Sequence, residues 1–152
     1  MALGPLERGS DGFWGLGDRE LNPSGRHVVL LPEGLEQRHD GVRQVMVPWS
    51  RFMTIHAVGP RFEGRHRIGP VVRATLRDPY EVWEARFTRH AHRYRTAHVL
   101  LLDELFVQTA EAKETARLGD PDWLAAVVER LAPQSPWTRK ALRSAVAEAR
   151  EA

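Results

Sequence analysis

The chain has 152 residues, a formal net charge of +2 and no cysteine. Hydrophobic residues make up 42% and charged residues 28%, which is typical of a globular domain rather than of a disordered or fibrous chain. The lack of cysteine excludes disulfides, thiolate metal sites and a cysteine nucleophile. No apolar run approaches the roughly 18 residues of a membrane span, and the first residues do not follow the signal-peptide pattern. We therefore expect a cytoplasmic protein.

The basic residues are almost all arginine, with 20 Arg against 2 Lys. They are concentrated between residues 26 and 98, where 13 Arg occur with 7 Asp or Glu. A GC-rich bacterial genome, which favours arginine codons, would explain the bias. A functional interpretation is that guanidinium groups serve for bidentate contacts with carboxylate or phosphate. The surplus is smaller than in a dedicated nucleic-acid-binding domain.

The first part of the chain divides into an arm and a strand region. Residues 1–25 contain six glycines and two prolines and are predicted to be a flexible N-terminal arm. Residues 26–76 are predicted to be mainly strand, since short β-branched runs alternate with turn residues. Asp40-Gly41 predicts a hairpin with a type I′ turn, which needs positive φ at both central residues.

A two-residue loop fixes the register of this hairpin. It pairs His39 with Val42, and Leu35 with Met46. It also places Arg38 opposite Arg43, which is unfavourable unless an acidic group lies nearby. With the runs after Pro48, the sequence predicts an antiparallel meander of four to six strands.

Residues 78–152 are predicted to be mainly helical. Asp78-Pro79, Asp120-Pro121 and Ser135-Pro136 each place a capping side chain before proline, which predicts helices that begin at 79, 121 and 136. One apolar face runs from Tyr80 to Leu105, so residues 79–117 form either one helix or two with a break near Arg95. Strands followed by three or four helices make the fold α+β, with residues 26–152 as a single domain.

One part of the chain resembles the bacterial PH-like domains. The resemblance rests on LPEGL at 31–35, the Asp-Gly hairpin, and VPWSRF at 47–52, and it covers residues 26–58. It implies a curved seven-stranded sheet or barrel closed by a C-terminal helix, with a role in binding or scaffolding rather than catalysis. The helix predicted at Pro79 would match the closing helix. The chain departs from the family in its fewer clear strands and its two further helices, and no family ligand site can be carried over.

The motifs of common catalytic sites do not occur in the sequence. There is no HExxH pair for zinc, no glycine-rich phosphate loop and no GxSxG nucleophile elbow. His98 falls on the predicted buried face, which is typical of a hydrogen-bonded core histidine. We therefore predict no metal, no cofactor and no catalytic residues, and we expect a non-catalytic binding or regulatory module.

The candidate binding residues are basic. Arg86, Arg89 and Arg93 lie within one sector of the predicted helix at Pro79, and His92 and Arg95 flank them. Such a row predicts a surface for an acidic protein or an anionic ligand. A solvated helix face is the alternative interpretation of the row. Alternative functions are a nucleic-acid-associated regulator, and a small-ligand-binding protein or enzyme with a pocket behind the sheet.

Overall fold

The computed structural model describes residues 2–20, 22–88 and 94–152. The fold is α+β, with strands first and helices after them, as the sequence predicts. The helices are α1 (Thr96–Glu111), α2 (Pro121–Leu131) and α3 (Arg139–Ala149). The strands of the described ranges, β1 to β11 in chain order, are Ala2–Leu3, Leu6–Arg8, Trp14–Leu16, Arg26–Leu30, Gly34–His39, Val42–Pro48, Phe52–Val58, Arg61–Glu63, His66–Ile68, Val71–Leu76 and Glu81–Arg86.

The strands form two main antiparallel sheets. Strands β1 to β6 follow one another in chain order in the first, and the second has the order β11-β10-β7. Strands β8 and β9 form a separate hairpin. The Thr88 N–H donates to the Arg26 carbonyl at 2.8 Å and so links the end of β11 to β4. None of the helices in the described ranges has the length and apolar character needed to cross a membrane.

The segment predicted to be a flexible arm supplies strands β1 to β3 instead. Leu6, Trp14 and Leu16 are buried in the core, where Leu6 and Leu16 are opposite each other. Two of the glycines that suggested flexibility lie where the chain turns or bends: Gly4 has φ +61° and Gly17 has φ +105°. Both values lie in the left-handed region that glycine adopts without strain, so the glycine content here reflects tight turns between short strands.

The Asp-Gly hairpin forms as predicted. Asp40 has φ +56° and Gly41 has φ +72°, both positive as a type I′ turn requires. The pairs His39 with Val42 and Arg38 with Arg43 are confirmed. Beyond Arg38 the register shifts by one residue at a β-bulge, so the prediction that Leu35 pairs with Met46 is wrong. Leu35 pairs with Val47 instead, which places two buried side chains on the core face.

Glu36 supplies the acidic group that this arginine pair needs. Arg38 Nε donates to Glu36 Oε1 at 2.8 Å, and Arg43 Nη2 donates to Glu36 Oε2 at 3.1 Å. The Glu36 side chain is 4% exposed. Burial by itself would raise the pKa of this carboxyl, but the two arginines outweigh burial and hold the pKa below its ordinary value. The carboxylate therefore stays charged and joins β5 to β6.

The prediction of a helix that begins at Pro79 is wrong. Residues 77–80 form the turn between β10 and β11. Tyr80, predicted to lie on the buried face, is 69% exposed. Phe87, which lies within the predicted apolar face, is buried, but it follows the strand β11. The second half of the predicted helix is real: α1 begins at Thr96, close to the expected break, and its Leu101 and Leu105 are fully buried.

The core lies between the sheets and the helices. Helix α1 packs along β7. Trp49 packs on Phe52 with ring centroids 5.4 Å apart, and its indole N–H donates to the Leu31 carbonyl at 2.7 Å. A Cβ on Gly119 would lie 2.2 Å from that same Leu31 carbonyl oxygen. The absence of a side chain at Gly119 is therefore needed for this close approach.

The two remaining helices differ in how well the sequence predicts their starts. Helix α2 begins at Pro121, and Asp120 caps it by accepting from the N–H groups of Asp122 and Trp123, both at 3.1 Å. Helix α3 was predicted to begin at Pro136 but begins at Arg139. Its cap is Thr138, whose hydroxyl accepts from the Ala141 N–H at 3.0 Å. Pro136 and Trp137 therefore lie in the connection before the helix rather than in its first turn.

Candidate binding surface

The structure describes two of the five residues of the predicted arginine row, Arg86 and Arg95. Arg86 is the last residue of β11 and is exposed. Arg95 precedes α1, and its guanidinium donates to the Ala132 carbonyl at 3.3 Å and to the Ser135 hydroxyl. Arg89, His92 and Arg93 lie outside the described residues. The prediction that Arg86 lies on a helix is therefore wrong, because the chain at Arg86 is a strand, whereas binding through these residues stays a prediction.

The most exposed large apolar side chain of the described residues is Trp137, at 98% exposure. It lies in the connection between α2 and α3, which is held on both sides. The Gln134 N–H donates to the Leu131 carbonyl at 2.9 Å before it, and Thr138 caps α3 after it. Between them, Arg95 binds the Ser135 hydroxyl. Trp137 is therefore presented to solvent by a connection that is fixed to α1, α2 and α3.

A groove lies beside Trp137, between α1 and the start of α3. Its volume is about 380 Å³. Leu100 of α1, which is 50% exposed, lies on one side, and Leu142 of α3 lies on the other. Pro136 extends the apolar lining next to the indole. We call this the Trp137 surface; it comprises Leu100, Asp103, Glu104, Pro136, Trp137, Thr138, Arg139 and Leu142.

The acidic groups of the Trp137 surface already have partners within the fold. Asp103 Oδ1 accepts from the Ala57 N–H at 3.0 Å and lies 3.2 Å from His56 Nδ1. Burial raises the pKa of Asp103, and the neighbouring His56 and Ala57 N–H oppose that rise. Glu104 accepts from Gln108 Nε2 at 2.9 Å. The Asp103 carboxylate thus attaches α1 to β7, and the Glu104 carboxylate is held within α1 and by Arg143 of α3.

The basic groups beside Trp137 have fewer ion pairs with the described residues than the acidic groups have contacts. Arg139 and Lys140 are exposed, and neither has an ion pair with another described residue. Arg143 lies one turn further and contacts Glu104 at 3.5 Å. All three lie in the first half of α3, whose free N–H groups add positive potential. The charges available to a partner at this surface are therefore positive.

The Asp103–His56 contact also has a catalytic interpretation, because a carboxylate beside a histidine orients the ring in many hydrolases. Within the described ranges, no serine or threonine hydroxyl lies within hydrogen-bond distance of His56. The nearby hydroxyls of Thr54 and Thr75 bond to each other at 2.6 Å. The pair therefore lacks a nucleophile in the part of the chain that the structure describes. The same described residues contain no group of three or more His, Asp or Glu side chains placed to hold a metal ion.

Comparisons with known proteins add no assignment: no protein-family model, no curated protein and no solved structure matches the chain.

Sequence reasoning missed the Trp137 surface because Trp137 was assigned to the first turn of α3. A signal was present, however. Trp137 is five residues before Leu142, which places it about 140° around the axis from the apolar face on a helix with 100° per residue. A tryptophan that lies off the apolar face has no place in the core, and so the pattern indicates a surface aromatic.

Proposed function

We propose that the protein is a non-catalytic binding module that holds an acidic segment of a partner protein on the Trp137 surface. The observation that carries the proposal is the 98% exposure of Trp137 on a connection fixed to three helices. Tryptophan and arginine are enriched among the residues that dominate binding energy at protein interfaces. Trp137 with Arg139 is such a combination.

The energetic argument rests on the area of the indole. Burying a tryptophan removes on the order of 200 Å² from water. At about 25 cal/mol per Å², full coverage is worth roughly 5 kcal/mol. Part of this gain offsets the loss of translational and side-chain freedom on association. A partner that inserts an apolar side chain between Leu100 and Leu142 therefore has enough apolar area available for binding.

The charges at the Trp137 surface indicate the charge of the partner. Arg139 and Lys140 are unpaired among the described residues, whereas Asp103 and Glu104 are held internally. An acidic segment would gain charge-assisted contacts with the two cations. A basic segment would meet like charge at the surface. The partner chemistry that fits is thus one or two apolar anchor residues flanked by Asp or Glu.

We also propose that the fold is PH-like. Four consecutive strands, β3 to β6, precede three further strands, β7, β10 and β11, and helix α1 follows them. This order supports the proposal because it matches seven strands and a closing helix, with α1 in the place expected for the helix at Pro79. The remaining strands and helices are additions to that order. A PH-like fold also favours a binding or scaffolding role.

Selection of peptides from a random display library tests the function. Wild-type protein should enrich peptides that combine Asp or Glu with an apolar anchor. Trp137→Ala should weaken the selected peptides at least about tenfold, since truncating a central anchor costs more than 1.4 kcal/mol. Arg139→Glu with Lys140→Glu should weaken them as well. Tyr80→Ala, which truncates another exposed aromatic residue, is the matched control and should bind as the wild type does.

Three outcomes would contradict the proposal. Selected peptides that bind Trp137→Ala and wild type equally would show that the surface is not used. A Trp137-dependent dimer in light scattering would make a second copy of the chain the occupant. An affinity for oligonucleotides that falls steeply with salt and is lost in the Arg139 and Lys140 variant would favour the nucleic-acid alternative.

A further inference from the structure

A second cavity lies on the other side of α1, where β7 ends and β10 begins. Its volume is about 510 Å³, within the range of sites that bind small molecules. Its floor consists of side chains that are buried in the protein: Pro5, Ala57, Pro70 and Phe87. Its rim includes Pro60 and Thr96, which are exposed. The cavity thus has an apolar floor and a rim at which Thr96 supplies a polar group.

The lining chemistry limits what the cavity can hold. None of the described lining residues is charged, so an ion on the cavity floor would lose its hydration without gaining a counter-charge. Hydroxyl groups are present only at Tyr94 and Thr96 of these residues, both at the α1 end. A ligand with an apolar body and one neutral polar end group fits this arrangement, with its polar end at the rim.

Gly59 leaves part of this space open. A Cβ built on Gly59 would meet only Val99 Cγ1, at 3.9 Å, which is ordinary van der Waals contact. The backbone there does not need glycine for its conformation, because Gly59 has no positive φ. A larger side chain at this position would therefore occupy space between β7 and α1 without a backbone clash.

We infer that this cavity is a binding site for a small, uncharged, mainly apolar ligand with one hydrogen-bonding end group. The inference goes beyond the proposed function and uses a different face of α1. Val99 lines the cavity, whereas the next residue, Leu100, lines the Trp137 surface. The two sites can therefore be tested separately.

Titration with 1-octanol, followed by NMR chemical shifts, tests the inference. Saturable shifts are expected at Ala57, Gly59 and Val99. Gly59→Leu should lower the octanol affinity at least about tenfold by filling the cavity. Gly69→Leu is the matched control, because a Cβ at Gly69 meets nothing within 4 Å and Gly69 does not line the cavity. Trp137→Ala should bind octanol as the wild type does.

Absence of saturable shifts in the wild type would overturn the inference. Equal octanol affinity in wild type and a well-folded Gly59→Leu would also overturn it, since the ligand would then lie elsewhere. If Gly59→Leu fails to fold, Val99→Phe can be used instead, because it fills the cavity from the opposite wall. It should also lower the octanol affinity at least about tenfold, and an unchanged affinity would overturn the inference. Loss of octanol binding in Trp137→Ala would show that the two sites are not separate.

Discussion

Replacing Glu36 by Gln removes a buried charge that joins two arginines on neighbouring strands. Glu36 accepts from Arg38 at 2.8 Å and from Arg43 at 3.1 Å. Hydrogen bonds to a charged group contribute about 1.5–3 kcal/mol each. Gln keeps one neutral acceptor, and both guanidiniums remain partly in contact with solvent. We therefore expect Glu36→Gln to lower the free energy of unfolding by about 2–3 kcal/mol.

Urea unfolding followed by tryptophan fluorescence measures this change. With a slope of about 2 kcal/mol per molar urea, the midpoint should fall by roughly 1 M. The pairing can be isolated with a double-mutant cycle. Arg43→Gln should cost less stability in the Glu36→Gln background than in the wild type, because its partner is already gone.

The pH dependence gives a second measure of the same contact. The two arginines hold the pKa of Glu36 below its ordinary value of 4.5. As pH falls, the unfolded chain therefore takes up this proton first, and the stability due to the carboxylate is lost as pH passes through the folded-state pKa. The difference between wild type and Glu36→Gln should be constant above about pH 5 and should shrink at lower pH. A cost below about 0.5 kcal/mol, or a difference that persists unchanged in acid, would refute the reasoning.

Three further predictions concern single residues. Asp120→Ala should cost about 1 kcal/mol in urea unfolding, because two N–H groups of α2 lose their acceptor. Lys113→Gly should stabilise by roughly 0.5–1 kcal/mol, since Lys113 follows Ala112, the C-cap of α1, at φ +58° and glycine adopts this conformation without strain. Burial lowers the pKa of His27, so this histidine should reduce stability as pH falls below its ordinary 6.5, and His27→Gln should lessen that decline. A cost below about 0.2 kcal/mol for Asp120→Ala, a loss of stability in Lys113→Gly, or an unchanged pH profile in His27→Gln would contradict them in turn.

The largest error of the sequence reasoning lies in the spacing of apolar residues after Asp78. Trp83 and Phe87 are four residues apart, a spacing that one face of a helix and one face of a strand share. In the structure Trp83 is partly buried and Ala85 and Phe87 are buried, which is the strand period of two. Because the small side chain of Ala85 is compatible with a strand or a helix, the sequence pattern could not decide between the two periods.

Local chemistry, by contrast, was a sufficient guide at one turn and at one of the three predicted helix caps. Asp40-Gly41 predicted its turn and the first two pairs of the hairpin, and Asp120 predicted the start of α2. The bulge beyond Arg38 could not be predicted, since it depends on which side chains face a core built from distant strands. The Trp137 surface was missed for a related reason: Thr138 rather than Ser135 caps α3, and Ser135 is bound instead by Arg95, a residue distant in sequence that precedes α1.

The five tryptophans make a direct test of the Trp137 surface possible, because their indole N–H groups give separate NMR signals. The indole N–H groups of Trp14, Trp49 and Trp123 each donate to a backbone carbonyl within the fold. Trp137 is exposed instead. Its signal can be assigned by its absence in Trp137→Phe.

The decisive measurement is a titration with an acidic peptide that carries one leucine and one phenylalanine. The account predicts a saturable shift of the Trp137 indole signal, with backbone shifts at Leu100 and Leu142 and little change at the three internally bonded indoles. It also predicts that a peptide with lysine in place of each acidic residue causes no such shift. A Trp137 signal that stays in place while the acidic peptide binds elsewhere, or that moves equally with the basic peptide, would contradict the account.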